Sequence, residues 1–120
     1  MDESTTQIGA PHRPEFYHVI RRKGRVSLWA IVDGHAEEIT PERSQKVWNH
    51  SPTGFEFGYG GSGPAQLALA ILLDLTGDDA LAVKHHQDFK WAYISTKQVP
   101  EFKIDADFIR KWIAGMEGAR

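Results

Sequence analysis

The sequence predicts an α+β fold: an N-terminal antiparallel β-meander of three to four strands packed against three helices, with the central helix buried. Three observations predict it. Lys23-Gly24 and Asp33-Gly34 punctuate a run of β-branched and aromatic residues near the N-terminus, and Asp-Gly between such segments is a strong hairpin signal. From Ala65 to Leu75 only Gln66 and Asp74 interrupt the apolar residues; a helix apolar all round is a buried one. Near the C-terminus, Phe108, Ile109, Trp112, Ile113 and Met116 recur at helical spacing, with Arg110 and Lys111 turned outward.

The strands come first. Phe16-Tyr17-His18-Val19-Ile20 gives a strand over 15–22, and Lys23-Gly24 turns the chain into a second strand over 25–33. Val26, Leu28, Ala30 and Val32 line one face of that strand and Trp29 and Ile31 the other, which suits a central strand covered at least partly on both sides. Asp33-Gly34 returns the chain through a third strand, His35 to Ile39. Thr40-Pro41-Glu42 fits a turn or the opening of a short helix, and Gln45 to Asn49 is expected as a further, edge-like strand.

The glycine-dense loop Gly54 to Gly63 then enters the central helix. Pro64 is expected at its first position with Ser62 or Gly63 as N-cap, and Gly77 closes it. A second helix, capped by Asp78 or Asp79, is expected to reach about Ser95, with Leu81, Ala82, His85, His86, Phe89, Ala92 and Tyr93 on one face and a Lys84–Asp88 pair opposite. Glu101 to Ile104 is short and extended, Asp105 caps the last helix, and Ile104 and Ile109 form its hydrophobic staple.

At 120 residues and 41% hydrophobic content, the chain has the size of one domain, expected over 15–118 behind a loose arm of residues 1–14. A net charge of −2 makes no demand for a nucleic-acid partner and is far from the acidity of a DNA mimic. The absence of cysteine excludes disulfides and thiolate metal sites and fits a reducing cytosol. Met1-Asp2-Glu3-Ser4 does not open a signal peptide, and the apolar helix falls short of the roughly 20 residues a bilayer needs. A cytoplasmic protein without a membrane partner is expected.

Four features carry possible chemistry. The backbone of Gly58-Tyr59-Gly60-Gly61-Ser62-Gly63, leading into a helix N-terminus, could cradle an anion. It matches neither a P-loop nor G-x-G-x-x-G, and the same glycines would let backbone pass close to aromatic side chains. Ser62 lacks the G-x-S-x-G setting of a nucleophile elbow, because Pro64 takes the fifth place, so no catalytic residue is assigned. His85 and His86 point about 100° apart on a helix; with His50 distant in sequence they form no complete ligand set, and neither metal nor cofactor is expected. Arg21, Arg22, Lys23 and Arg25 are expected to project together from the first hairpin tip, able to grip phosphates or an acidic protein surface, or simply to keep an edge soluble. Among four tryptophans (Trp29, Trp48, Trp91 and Trp112), Trp48 is the candidate exposed anchor for a protein partner.

The run from Asn49 through Gly54-Phe55-Glu56-Phe57-Gly58-Tyr59-Gly60-Gly61-Ser62-Gly63-Pro64 to Ala70, with Gln87-Asp88-Phe89-Lys90-Trp91, resembles the signature of an uncharacterised bacterial family. Its members are small proteins of phages, plasmids and other mobile elements, and the similarity covers roughly Tyr17 to Ile113. Phe57 stands where relatives are expected to carry tryptophan. The resemblance transfers no catalytic residues. It implies a mobile-element setting, in which small folded proteins often antagonise host defence, and hence an accessory protein that inhibits a host defence complex such as CRISPR-Cas by binding its surface. Binding of a nucleotide or phosphorylated ligand at the glycine loop, or of nucleic acid at the basic tip, are the alternatives.

Overall fold

The computed structural model describes residues 13–119. Strands β1 (Phe16–Arg22), β2 (Arg25–Val32) and β3 (His35–Ile39) are followed by helices α1 (Glu42–Val47), α2 (Ser62–Thr76) and α3 (Asp79–Phe89). A π-helical turn (Lys90–Ile94), β4 (Glu101–Asp105) and α4 (Ala106–Gly118) complete the order. The four strands form one antiparallel sheet in the order β3-β2-β1-β4, so the fold is α+β. Most of the arm expected over 1–14 lies outside the described residues; Pro14, within them, is buried.

Both hairpins have two central residues at positive φ, Lys23 (53°) with Gly24 (75°) and Asp33 (51°) with Gly34 (80°). Their twist matches that of the flanking strands. Alternation then sends Tyr17, Val19, Leu28, Ala30, Phe102 and Ile104 into the core, while Phe16, His18, Ile20, Trp29 and Ile31 on the other face stay partly exposed. The short extended piece expected near residue 101 is the fourth strand: Glu101–Asp105 pairs with Phe16–Ile20 and makes β1 an interior strand.

Helix α2 is the buried centre. Every residue from Gly63 to Leu73 is buried, as is Leu75. Its N-cap is Gly61 rather than Ser62 or Gly63, which places Pro64 at the third helical position; the N–H there has no intrahelical acceptor, so proline costs no bond. Gly77 closes the helix at φ 65°, its N–H reaching Leu73 O at 2.9 Å. The two polar residues are partnered: Asp74 accepts from the Tyr17 hydroxyl at 2.7 Å, and burial, reinforced by that carboxylate, pushes the Tyr17 pKa far up.

The edge strand expected over Gln45–Asn49 is not formed. Helix α1 runs through Val47, and its turn brings buried Ser44 against α2. Gln66 explains the preference. At 0% exposure, its side-chain oxygen accepts from the backbone N–H groups of His50 (2.8 Å) and Ser51 (2.9 Å), and its amide donates to Ser44 Oγ (2.9 Å) and Trp48 O (3.1 Å). Those four bonds use the full capacity of a glutamine amide.

The second long helix is not a uniform α-helix to Ser95. After Phe89 the chain takes a π turn, marked by Ser95 N–H to Lys90 O at 2.8 Å. The wider turn shifts the helical face: Ala92, expected inside, is exposed, whereas Lys90 and Ile94 are buried. Lys84 reaches Glu117 on α4 at 3.0 Å rather than the expected Asp88. Asp78 caps α3 and Asp105 caps α4, accepting from Leu81 N–H (3.1 Å) and Phe108 N–H (2.9 Å). Phe89, Tyr93, Phe108 and Trp112 meet edge-on or tilted between α3 and α4, with ring centroids 5.1–5.9 Å apart. Among the described residues no helix is long and apolar enough to cross a membrane.

Candidate partner-binding surface

The bonds from Gln66 fix the backbone on which Trp48 and His50 ride. The Trp48 indole stacks on the His50 ring at 4.5 Å, and His50 Nε2 lies 2.9 Å from His86 Nε2. The tautomers follow from the outer partner. His86 Nδ1 is 2.7 Å from the Val83 carbonyl oxygen, which can only accept, so Nδ1 carries the proton. In a neutral ring Nε2 is then the acceptor, and His50 Nε2–H donates to it. Burial lowers the pKa of both rings, and the Lys90 ammonium nearby lowers them further; in His86 the backbone bond opposes part of the shift. The pair is therefore neutral near pH 7.

One turn beyond His86, buried Lys90 sets its ammonium over the Trp91 ring at 4.3 Å and within 3.5 Å of Gly60 O. Trp91 lies across Gly60, where a Cβ would sit 2.1 Å from ring carbons, and the Tyr59 ring lies against Gly61 in the same way, at 2.3 Å. At Gly63 a Cβ would sit 2.7 Å from Glu56 Cβ. The loop glycines thus stand where aromatic rings and a side-chain stem lie against backbone. Two loop carbonyls already have donors: Gly58 O from the Gln98 amide (2.7 Å) and Gly60 O from Lys90.

The candidate strip runs from Trp48, His50 and His86, which meet ring to ring, to Lys90, whose ammonium reaches Trp91 and Gly60 O, with Tyr59 next to Gly60 in the chain. Its large rings keep about half of their surface in solvent: Trp48 49%, Tyr59 52% and Trp91 58%. A strip of half-exposed aromatics on a rigid base has the composition of a protein-binding hot spot. Trp48, singled out in the sequence, belongs to it; Trp91 was missed, and so was the histidine pair, whose members lie 36 residues apart.

The histidines diverge as adjacent helical residues must. His85 bonds Glu117 on α4, while His86 faces His50. Among the described residues no three His, Cys, Asp or Glu side chains come together as a metal would require, and no hydrogen bond joins exposed Ser62 to a histidine.

The basic tip divides. Arg21 does not project with the others. It falls on the inner face of β1, donates to Glu56 Oε1 (2.6 Å) and Phe57 O (2.8 Å), and lies over the Phe57 ring at 4.0 Å. Alternation along a strand is the reason: Arg21 shares the side of Tyr17 and Val19, Arg22 the other. Arg22, Lys23 and Arg25 are exposed.

The sequence model of a family of unknown function, DUF6166, matches residues 17–115. No curated protein and no solved structure matches the chain.

Proposed function

We propose, from the premise that this chain belongs to DUF6166, a family whose function is unknown, that it acts by binding a protein partner. The observation that carries this reading is the joining of Trp48, Tyr59 and Trp91, each about half exposed, along one strip held by Gln66, Lys90 and the loop glycines. Rigid aromatic anchors lose little conformational entropy on binding and dominate interface energetics. The exposed cations Arg22, Lys23 and Arg25 would steer an acidic partner surface toward the chain. The resemblance to small phage and plasmid proteins supports a setting in the cytoplasm of a bacterial host, with a host defence complex such as CRISPR-Cas as the protein occluded.

The test is capture by the full chain from a bacterial lysate, alongside a Trp48→Ala/Trp91→Ala variant. A stoichiometric protein retained by the wild type and lost with the variant, at nearly unchanged melting temperature, supports the reading. Equal retention by both, or none by either, rejects it.

A further inference from the structure

At one end of the sheet a strand runs past its neighbour. β3 pairs with β2 only from Leu28 to Val32, whereas β2 begins at Arg25. The stretch Arg25–Ser27 therefore has β1 on one flank and no strand on the other. A groove of about 860 Å³ opens there, bounded by the hairpin tip, the start of α1 and the segment Thr53–Glu56. Its volume falls in the range of about 300–1,000 Å³ usual for small-ligand sites.

The groove has a charged end and an aromatic wall. Arg22, Lys23 and Arg25 line it, and the register sets Arg22 directly opposite Arg25. Like charges so placed destabilise a strand pair. None of the three has an acidic partner among the described residues, although Arg21, Lys84 and Arg110 each have one. Trp29 stands on the same strand face as Arg25, two pleat repeats or about 13 Å along, its indole N–H donating to Ser27 Oγ at 2.9 Å. Phe55 also lines the groove but is almost wholly buried, and three carboxylates share the lining away from the tip: Glu38, which pairs with Trp29 in the register, Glu42 at the start of α1, and Glu56, which is held by Arg21.

We propose that this groove binds a nucleotide, with the phosphates against Arg22, Lys23 and Arg25 and the base against Trp29. Three cations without an ion pair, gathered at the tip end of a groove whose carboxylates lie elsewhere along it, call for more than the single charge of a carboxylate; a nucleoside triphosphate supplies several, on oxygens that match the guanidinium fork. The spacing from Arg25 to Trp29 suits the reach of an extended nucleotide from terminal phosphate to base. The inference does not rest on the aromatic strip, whose residues do not line the groove; it shares with the proposed protein binding only the cations Arg22, Lys23 and Arg25, so loss of nucleotide affinity in the Trp29 variant separates the two.

The experiment is calorimetric titration of the full chain with ATP, GTP, CTP and UTP, and separately with pyrophosphate, adenosine and a single-stranded thymidine oligonucleotide. At least one triphosphate should bind, more tightly than pyrophosphate or adenosine. Arg22→Gln/Arg25→Gln should weaken it by about tenfold or more, and Trp29→Leu should weaken it while leaving pyrophosphate unchanged. Absence of binding by all four up to about 10 mM, a range that detects even very weak sites, overturns the proposal. So does unaltered affinity in the arginine variant, or an oligonucleotide that binds more tightly than every mononucleotide.

Discussion

Trp91 lies so close over Gly60 that a Cβ on the glycine would sit 2.1 Å from the indole ring. The obstructing atoms are the far end of a half-exposed side chain, which can swing into solvent. Gly60→Ala should therefore cost little stability, within about 1 kcal/mol, yet displace Trp91 and empty part of the aromatic strip. Gly63→Ala differs, because its Cβ would meet Glu56 Cβ at 2.7 Å and the Glu56 backbone nitrogen at 3.2 Å. Backbone has to move there, at about 1–3 kcal/mol. Melting curves and tryptophan emission of the two variants check the contrast.

Gln66→Leu is expected to be severe although leucine fits a helix well. It would leave the buried Ser51 N–H without its acceptor and take one partner each from the His50 N–H, the Trp48 carbonyl and the Ser44 hydroxyl, which keep the His50 N–H to Trp48 O bond (3.1 Å) and the Ser44 Oγ–H to Pro41 O bond (2.8 Å). An orphaned buried group costs about 1–3 kcal/mol and each lost hydrogen bond about 1 kcal/mol, so a loss of about 2 kcal/mol or more should appear in denaturant midpoints. Amide exchange should quicken first across residues 44–51. A change below about 1 kcal/mol would show that water replaces the glutamine.

Adjacent arginines should separate cleanly. Arg21→Glu sets a carboxylate beside Glu56 and removes two hydrogen bonds, at about 1–3 kcal/mol. Arg22→Glu, exposed and facing Arg25 across the hairpin, replaces a like-charge pair by an opposite one and should leave stability unchanged or raise it by less than about 1 kcal/mol. Equal melting temperatures for the two variants would remove the structural role assigned to the Arg21–Glu56 pair.

Acid should weaken the fold in two stages. His50 and His86 have pKa values below the ordinary 6.5, chiefly through burial. As pH drops below about 6.5 the unfolded chain takes up protons before the folded one does, so stability is full above that value and declines until the folded-state values are passed. Glu117, held below the usual 4.5 by His85 and Lys84, adds a second loss at lower pH. Melting temperatures should be flat from pH 8 to 7 and fall as the pH drops below about 6.5. The fall should shrink in His50→Gln; superimposable profiles would contradict the neutral pair.

What is local was legible. The two-residue turns, the apolar run of α2 and the caps Asp78 and Asp105 all act within a few residues of themselves, and the chain declares them. What depends on distant partners was not. A helix at 42–47 displaced the expected edge strand because Ser44 meets Gln66, 22 positions away. The π turn at Lys90 leaves no compositional mark, so α-periodicity placed Ala92 inside and left Lys90 unremarked. For the candidate surface, Trp48 was visible as a surplus aromatic, whereas the His50–His86 contact and the ion pair that removes Arg21 from the tip needed the third dimension. A lone glutamine in an apolar helix was the one overlooked signal that residues could have given.

The closing of the sheet sets the order in which the chain can mature. β1 lies between β2 and β4, yet β4 occupies residues 101–105. As synthesis proceeds, β1, β2 and β3 can pair through their two tight hairpins as soon as they emerge, while the free flank of β1 waits for some 80 further residues. During that interval Phe16–Ile20 presents an unpaired backbone edge, the kind on which chains join one another. A nascent chain stopped before residue 101 would therefore be the form most exposed to self-association and to chaperones.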